Sequence, residues 1–122
     1  MIDLAKLDAF KLPFVEKDIF LLGEMQKVKI YAMKQTTSAR FSVLDEKKPE
    51  DRITALALIV ADALCISEEH ARKLCDVDFE AANIIADTCG QISKEYNEKI
   101  KAEREQAEKN LLQAQETITP RA

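Results

Sequence analysis

The stretch Ile53-Thr-Ala-Leu-Ala-Leu-Ile-Val-Ala-Asp-Ala-Leu64 (ITALALIVADAL) is the most apolar run of the chain, broken only by Thr54 and Asp62. Its length and flanks decide the fold. A membrane-crossing helix needs roughly 20 predominantly apolar residues. The uncharged part of this run, between Arg52 and Asp62, has only nine. With a bilayer excluded by length, the run must face the protein's own core or another protein. Pro49 suits the first turn of a helix, where its missing N–H goes unused, and Glu50 and Asp51 complement the helix dipole behind it. A helix from about 49 to Leu64 or Cys65 is therefore expected. It is apolar nearly all round, whereas a surface helix needs only a stripe about 100° wide. Two readings stay open: the helix sits centrally among others, or one of its faces also meets a partner chain.

Working outward, Ser67 with Glu68 and Glu69 behind it caps a short helix near 68–75, and Asp76 or Asp78 caps a longer one. In the longer helix Phe79, Ala82, Ile85 (or Ile84), Cys89 and Ile92 recur at three- and four-residue spacings, one apolar stripe. Gly90 falls inside this pattern, marking a kink or a close helix contact. On the N-terminal side, TTSARFSVLDE opens with hydroxyl residues able to cap a helix, expected at about 38–45. Before it, Val28 and Ile30 alternate with Lys27, Lys29 and Tyr31, the period of a half-buried strand. A β-hairpin follows, with strands near 18–22 and 27–33 and a turn at Gly23-Glu24-Met25-Gln26. Residues 1–16 are either a short helix, with Leu4, Leu7 and Phe10 on one face and a stop before Pro13, or an extended arm.

From Ser93 the composition changes. KEYNEKIKAEREQAEKN is almost wholly polar, with opposite charges at i, i+4 in Glu95–Lys99, Lys101–Glu105 and Glu105–Lys109. Its apolar positions are too sparse for a heptad seam. The organisation expected is a compact helical domain over 1–93, including arm and hairpin, and a charged helical extension over 94–122 that frays or is disordered toward ETITPRA. The fold class is mainly α: a small helical bundle with an N-terminal β-hairpin.

The composition narrows function. Two glycines and three prolines in 122 residues are too few for a turn-rich β-sandwich. A net charge of -4 opposes binding to a phosphate backbone, and no basic recognition helix offsets it. The N-terminus lacks a basic region followed by an apolar core, so it does not read as a signal peptide. Neither nucleic acid nor membrane is expected as a partner. Cys65, Cys75 and Cys89 are an odd set, read as reduced core thiols of a cytosolic protein. Their spacing with His70 does not form the close ligand pairs of a zinc site. His70 has no oriented acid or nucleophile beside it and is read as a surface residue. DEKKPED lacks the alternating oxygen ligands and central glycine of a calcium loop. Neither glycine belongs to a phosphate-cradling motif. No enzyme, cofactor or metal is expected. What remains is an apolar surplus. Phe10, Leu12, Phe14 and Phe20 in a poorly patterned arm, with Leu58 and Ile59 on the apolar helix, form the candidate partner or self-association surface.

The order of these segments resembles the tail assembly chaperones of lambda-like, long-tailed bacteriophages. FLLGEMQKVKIYAMK, TTSARF, ITALALIVADAL, SEEHARKL and FEAANIIADTCGQIS carry the resemblance, over roughly residues 18–93. Relatives often place an acidic, glycine-containing turn after the apolar helix, where this chain has CISEE. The resemblance implies a non-enzymatic protein of the host cytoplasm, absent from the finished virion. It would bind the tape measure protein, keep it soluble while tail tube protein polymerises around it, and self-associate, in many relatives as an open spiral. A ribosomal frameshift near the gene's end would make a longer form that recruits tube protein. Glu108-Lys109-Asn110 permits a slippery codon run, as does Glu46-Lys47-Lys48 further upstream. A generic cytosolic helical adaptor or scaffold subunit, or a regulatory subunit of an enzyme, is the alternative.

Overall fold

In the computed structural model, which describes residues 2–118 and side chains as far as residue 114, the apolar run forms the middle of the molecule. Helix α3 (Pro49–Leu64) begins with Pro49 at its first turn and Glu50 and Asp51 beside it. Every residue from Ile53 to Leu64 is at least half-buried. The helix packs against α4 (Glu68–Val77), against α5 (Phe79–Ile118) and against strand β2 (Glu24–Tyr31). Three neighbours on different sides are what an all-round apolar helix needs. The central-core reading holds.

The N-terminal elements are α1 (Leu4–Ala9), strand β1 (Phe14–Leu21), antiparallel to β2, and α2 (Gln35–Arg40), which continues into a 3-10 turn at Phe41–Val43. The fold is mainly helical, with the hairpin packed on α3 and α5. Ile19, Leu21, Val28 and Ile30 face inward and are buried. The outer face pairs Phe14 with Tyr31, Glu16 with Lys29, Asp18 with Lys27 and Phe20 with Met25. These are an aromatic pair, two opposite-charge pairs and an apolar pair, each favourable across a ladder. Phe14 and Tyr31 rings lie 5.3 Å apart, and Lys29 Nζ sits 4.5 Å from the Phe14 centroid. The core proper joins these strands to Val60, Ala63, Ala71, Ala82, Ile85 and Cys89, all fully buried. Burying each large aliphatic side chain contributes roughly 1.5–3 kcal/mol.

Several expectations need correction. The strands are longer than the alternation suggests, and the turn is Leu22-Gly23 instead of Gly23-Glu24-Met25-Gln26, because Leu21 pairs directly with Glu24. Helix α2 starts three residues before 38 and has no hydroxyl cap; its cap residue, Lys34, donates its N–H to Asp62 Oδ2 at 3.0 Å. Thr37, expected near the cap, is buried inside the helix. Helix α5 passes through Gly90 without a break, and a Cβ added there would meet open space, so no close contact requires the glycine. Phe79 leaves the buried stripe that Ala82, Ile85, Cys89 and Ile92 form, and is exposed. Cys75 and Cys89 are core thiols as expected, but Cys65 is exposed.

The caps are otherwise where the residues place them. Ser67 Oγ accepts from His70 N–H at 3.1 Å, and Asp78 Oδ1 accepts from Ala81 N–H at 3.3 Å. Helix α3 ends with Cys65 at φ 55°, ψ 45°, and Ile66 N–H returns to Ala61 C=O at 3.0 Å. This is the left-handed helix end that glycine usually occupies. The extension emerges from α5 without a boundary at residue 93: Tyr96 and Ile100 are half-buried, and every described residue from Lys101 to Ala114 is exposed. Of the segment expected to fray, ETITPRA, residues 116–118 still belong to α5, and the rest lies outside the described residues.

Candidate functional site: apolar interaction surfaces

Four hydrogen bonds fix how the arm and hairpin sit on the helices. Where β2 ends, Ala32 N–H donates to Pro13 C=O at 2.9 Å. Met33 N–H donates to Ser93 Oγ at 2.8 Å, and Lys34 N–H reaches Asp62. Gln35 Nε2 then donates to Asn97 Oδ1 at 3.0 Å. Consecutive backbone groups are thus tied to the arm, to α5 and to α3. Asp62, the one charge within the apolar run, works as a clamp for the strand-to-helix corner. Thr54, the other polar residue there, donates Oγ1–H to Glu50 C=O at 3.0 Å. A further tie joins α2 to the start of α4, where the Arg40 guanidinium meets the Glu68 carboxylate through both nitrogens. That hydrogen-bonded contact raises the Arg40 pKa and lowers that of Glu68.

The six residues expected to form one surface fall into three places. Phe10, Leu12 and Phe14 come together at the open end of the hairpin. Asp3 caps α1 by accepting from Ala5 N–H at 3.0 Å. No residue of α1 is buried, so Leu4 and Leu7 continue the apolar surface that Phe10, 60% exposed, begins. Phe10 and Phe14 line a cleft of about 390 Å³ with Ile92 and Tyr96. Leu12 is half-buried and packs on the core. Phe20 stands apart: it shares the outer face of β1 with Phe14, six residues or roughly 20 Å away. Leu58 is 3% exposed and Ile59 is partly buried against the core, so the apolar helix contributes Leu58 to the interior and not to a surface.

Leu22, Met25 and Val77 are exposed apolar residues that the sequence reading did not single out. The signal was available for Leu22: it precedes Gly23 at a hairpin turn, a position that favours asparagine or aspartate.

Among the described residues, no group of three or more His, Cys, Asp or Glu side chains is placed to hold a metal ion, and no helix is long and apolar enough to cross a membrane. His70 lies at the surface with Nδ1 3.1 Å from Ser67 Oγ, the oxygen that caps α4. Burial pushes the Cys75 thiol up and the Cys89 thiol up to about 11, so neither is poised as a thiolate near neutral pH. No protein-family model, curated protein or solved structure matches this chain.

Proposed function

We propose that the chain is a non-enzymatic tail assembly chaperone of a long-tailed bacteriophage. In this reading it acts in the host cytoplasm, holds the tape measure protein soluble, and promotes tail tube assembly through self-association. The observation that carries the proposal is a pair of opposites in one small chain. The core is closed around α3, while Leu4, Leu7, Phe10, Phe14 and Phe20 remain in solvent on the arm and hairpin. Apolar surface held outside a closed core is what a protein needs to shield an apolar client or a second copy of itself. The segment order that resembles the family supplies the identity of that client. The charged extension and acidic balance supply solubility.

Co-expression with a candidate tape measure protein tests the proposal. The tape measure protein should move to the soluble fraction and co-purify, and a Phe10→Ser, Phe14→Ser double variant should lose most of that effect. A tape measure protein equally insoluble with and without the chain overturns it. The genes on either side offer a second test, since tail tube and tape measure genes should flank this one.

A further inference from the structure

The turn of the hairpin carries a leucine where folding alone would place another residue. Leu22 and Gly23 both have positive φ, 54° and 86°. Asn-Gly or Asp-Gly tolerates that geometry, whereas a leucine held there is strained, its Cβ crowded against the following carbonyl oxygen. Leu22 is also 59% exposed, so burial recovers little of the cost. Its conformation is held by Asp78, whose Oδ2 accepts Leu22 N–H at 3.0 Å. Unrelieved strain that presents an apolar side chain to solvent points to use of that side chain.

Other apolar residues gather at the same end. Phe20 and Met25 sit opposite each other on the outer face of the hairpin, both exposed. Val77 and Phe79, also exposed, flank Asp78 in the chain. Phe20 opens onto a cleft of about 440 Å³ shared with Ala81 and Ile84 of α5. The charges there lean acidic. Asp18, Asp78 and Glu80 line the cleft with Lys17, Lys27 stands across the ladder from Asp18, and Glu24 and Asp76 are exposed beside the turn and beside Val77, so five carboxylates face two lysines.

We propose that this hairpin tip docks an amphipathic helix of another protein, one whose apolar stripe is flanked by lysine or arginine. Apolar contact supplies affinity, as in other helix-in-groove sites. The carboxylates around it select the partner and steer its approach. A second copy of this chain fits poorly. Its α1 carries Leu4 and Leu7 with Asp3, Lys6 and Asp8 around them, a net negative helix without the cationic flanks that the acidic tip would select. The proposal rests on the chaperone reading only in taking the client as the source of the helix; the surface itself is argued from this chain alone.

The probe is a fluorescein-labelled 18-residue peptide of leucine and lysine, with leucines at i, i+3, i+4 spacing, and a twin with glutamate for every lysine. Anisotropy titrations use the full chain. The lysine peptide should bind at least tenfold tighter than the glutamate twin, with the preference shrinking as salt is raised. Leu22→Asn, which relaxes the turn and so keeps the fold, should weaken the lysine peptide at least tenfold. A Glu24→Lys, Asp76→Lys variant should reverse the preference. Amide shifts on titration should cluster at residues 20–25 and 76–84. Equal binding of the two peptides, unchanged binding to Leu22→Asn, or shifts confined to α1 would each overturn the proposal. So would sedimentation in which Leu22→Asn disperses assemblies of the chain, since that gives the tip to a second copy. If Leu22→Asn still keeps the tape measure protein soluble, the tip is refuted and the chaperone reading stands. If the lysine peptide binds as described while that protein stays insoluble, the reverse holds.

Discussion

Replacing Cys65 by glycine should stabilise the protein. Cys65 ends α3 in the left-handed region, at φ 55° and ψ 45°, with Cys65 N–H directed to Asp62 C=O at 3.4 Å and Ile66 N–H to Ala61 C=O. An L-residue in that conformation costs roughly 1–2 kcal/mol relative to glycine. Glycine gives back roughly 0.5–1 kcal/mol of this through the greater freedom of the unfolded chain. The side chain is exposed, and its one polar contact, Sγ to Asp62 C=O at 3.9 Å, is long. The net gain expected is about 0.5–1 kcal/mol. For 122 residues, at an unfolding entropy of roughly 2.1 cal/mol/K per residue, that gain corresponds to a rise in Tm of about 2–4 °C. Thermal and urea unfolding followed by far-UV circular dichroism under reducing conditions would measure it. Cys65→Ala separates the causes, because alanine keeps the left-handed cost and removes the thiol. It should stay within about 0.3 kcal/mol of the parent. The strain argument fails if glycine is neutral or destabilising, or if alanine stabilises equally.

Three further outcomes are expected. Asp62→Ala should cost about 1–2 kcal/mol by leaving Lys34 N–H without its acceptor, and Asp62→Asn, which keeps an oxygen there, should restore most of it in denaturant titrations. Gly90→Ala should add about 1 kcal/mol, since the position is interior to α5 and a Cβ meets nothing; a lower Tm would show a constraint that open space does not predict. The third concerns pH. Cys89 has a folded-state pKa raised to about 11, above the unfolded thiol's value near ~8.5. Its contribution is therefore complete below about pH 8.5 and lost as pH rises toward about 11, on the order of 3 kcal/mol in all. Urea midpoints at pH 8 and 10.5 should fall further apart for the parent than for Cys89→Ala; equal differences would show that another group sets the alkaline limit.

The parts of the fold that were legible in the sequence are those fixed by neighbouring residues. Pro49 with Glu50 and Asp51 announces a helix start through its fixed φ and the helix dipole, and Ser67 with its acids does so through a local hydrogen bond. Of the two caps expected for α5, Asp76 or Asp78, it is Asp78 that serves. The central place of α3 follows from its width of apolar surface. What was missed depends on partners far along the chain. Lys34 begins α2 because Asp62, 28 residues away, accepts its N–H. The true turn and register depend on Leu22 adopting a geometry that leucine avoids, held by Asp78, 56 residues away. The early start of β1 was obscured by charge on both faces: Glu16 and Asp18 lie outward and Lys17 inward, so FVEKDIFL shows no clean alternation. Of the candidate surface, bulk and aromatic character located Phe10, Phe14 and Phe20. Nothing local distinguished Leu58, inside the fold, from an exposed residue of the same helix. CISEE lacks a glycine, and yet the chain still makes the left-handed bend, at Cys65.

Helix α5 gives the molecule a property of position. Its 40 residues span about 60 Å at roughly 1.5 Å per residue, and every described residue from Lys101 to Ala114 is exposed. Such a rod transmits angle as well as distance. One residue inserted between Lys101 and Asn110 would turn whatever the far end holds by about 100°, for an advance of only about 1.5 Å. Seven residues, close to two full turns, would move it outward by about 10 Å and leave its bearing nearly unchanged. Activity that survives the seven-residue insertion and not the single one would show that the far end is read by its phase.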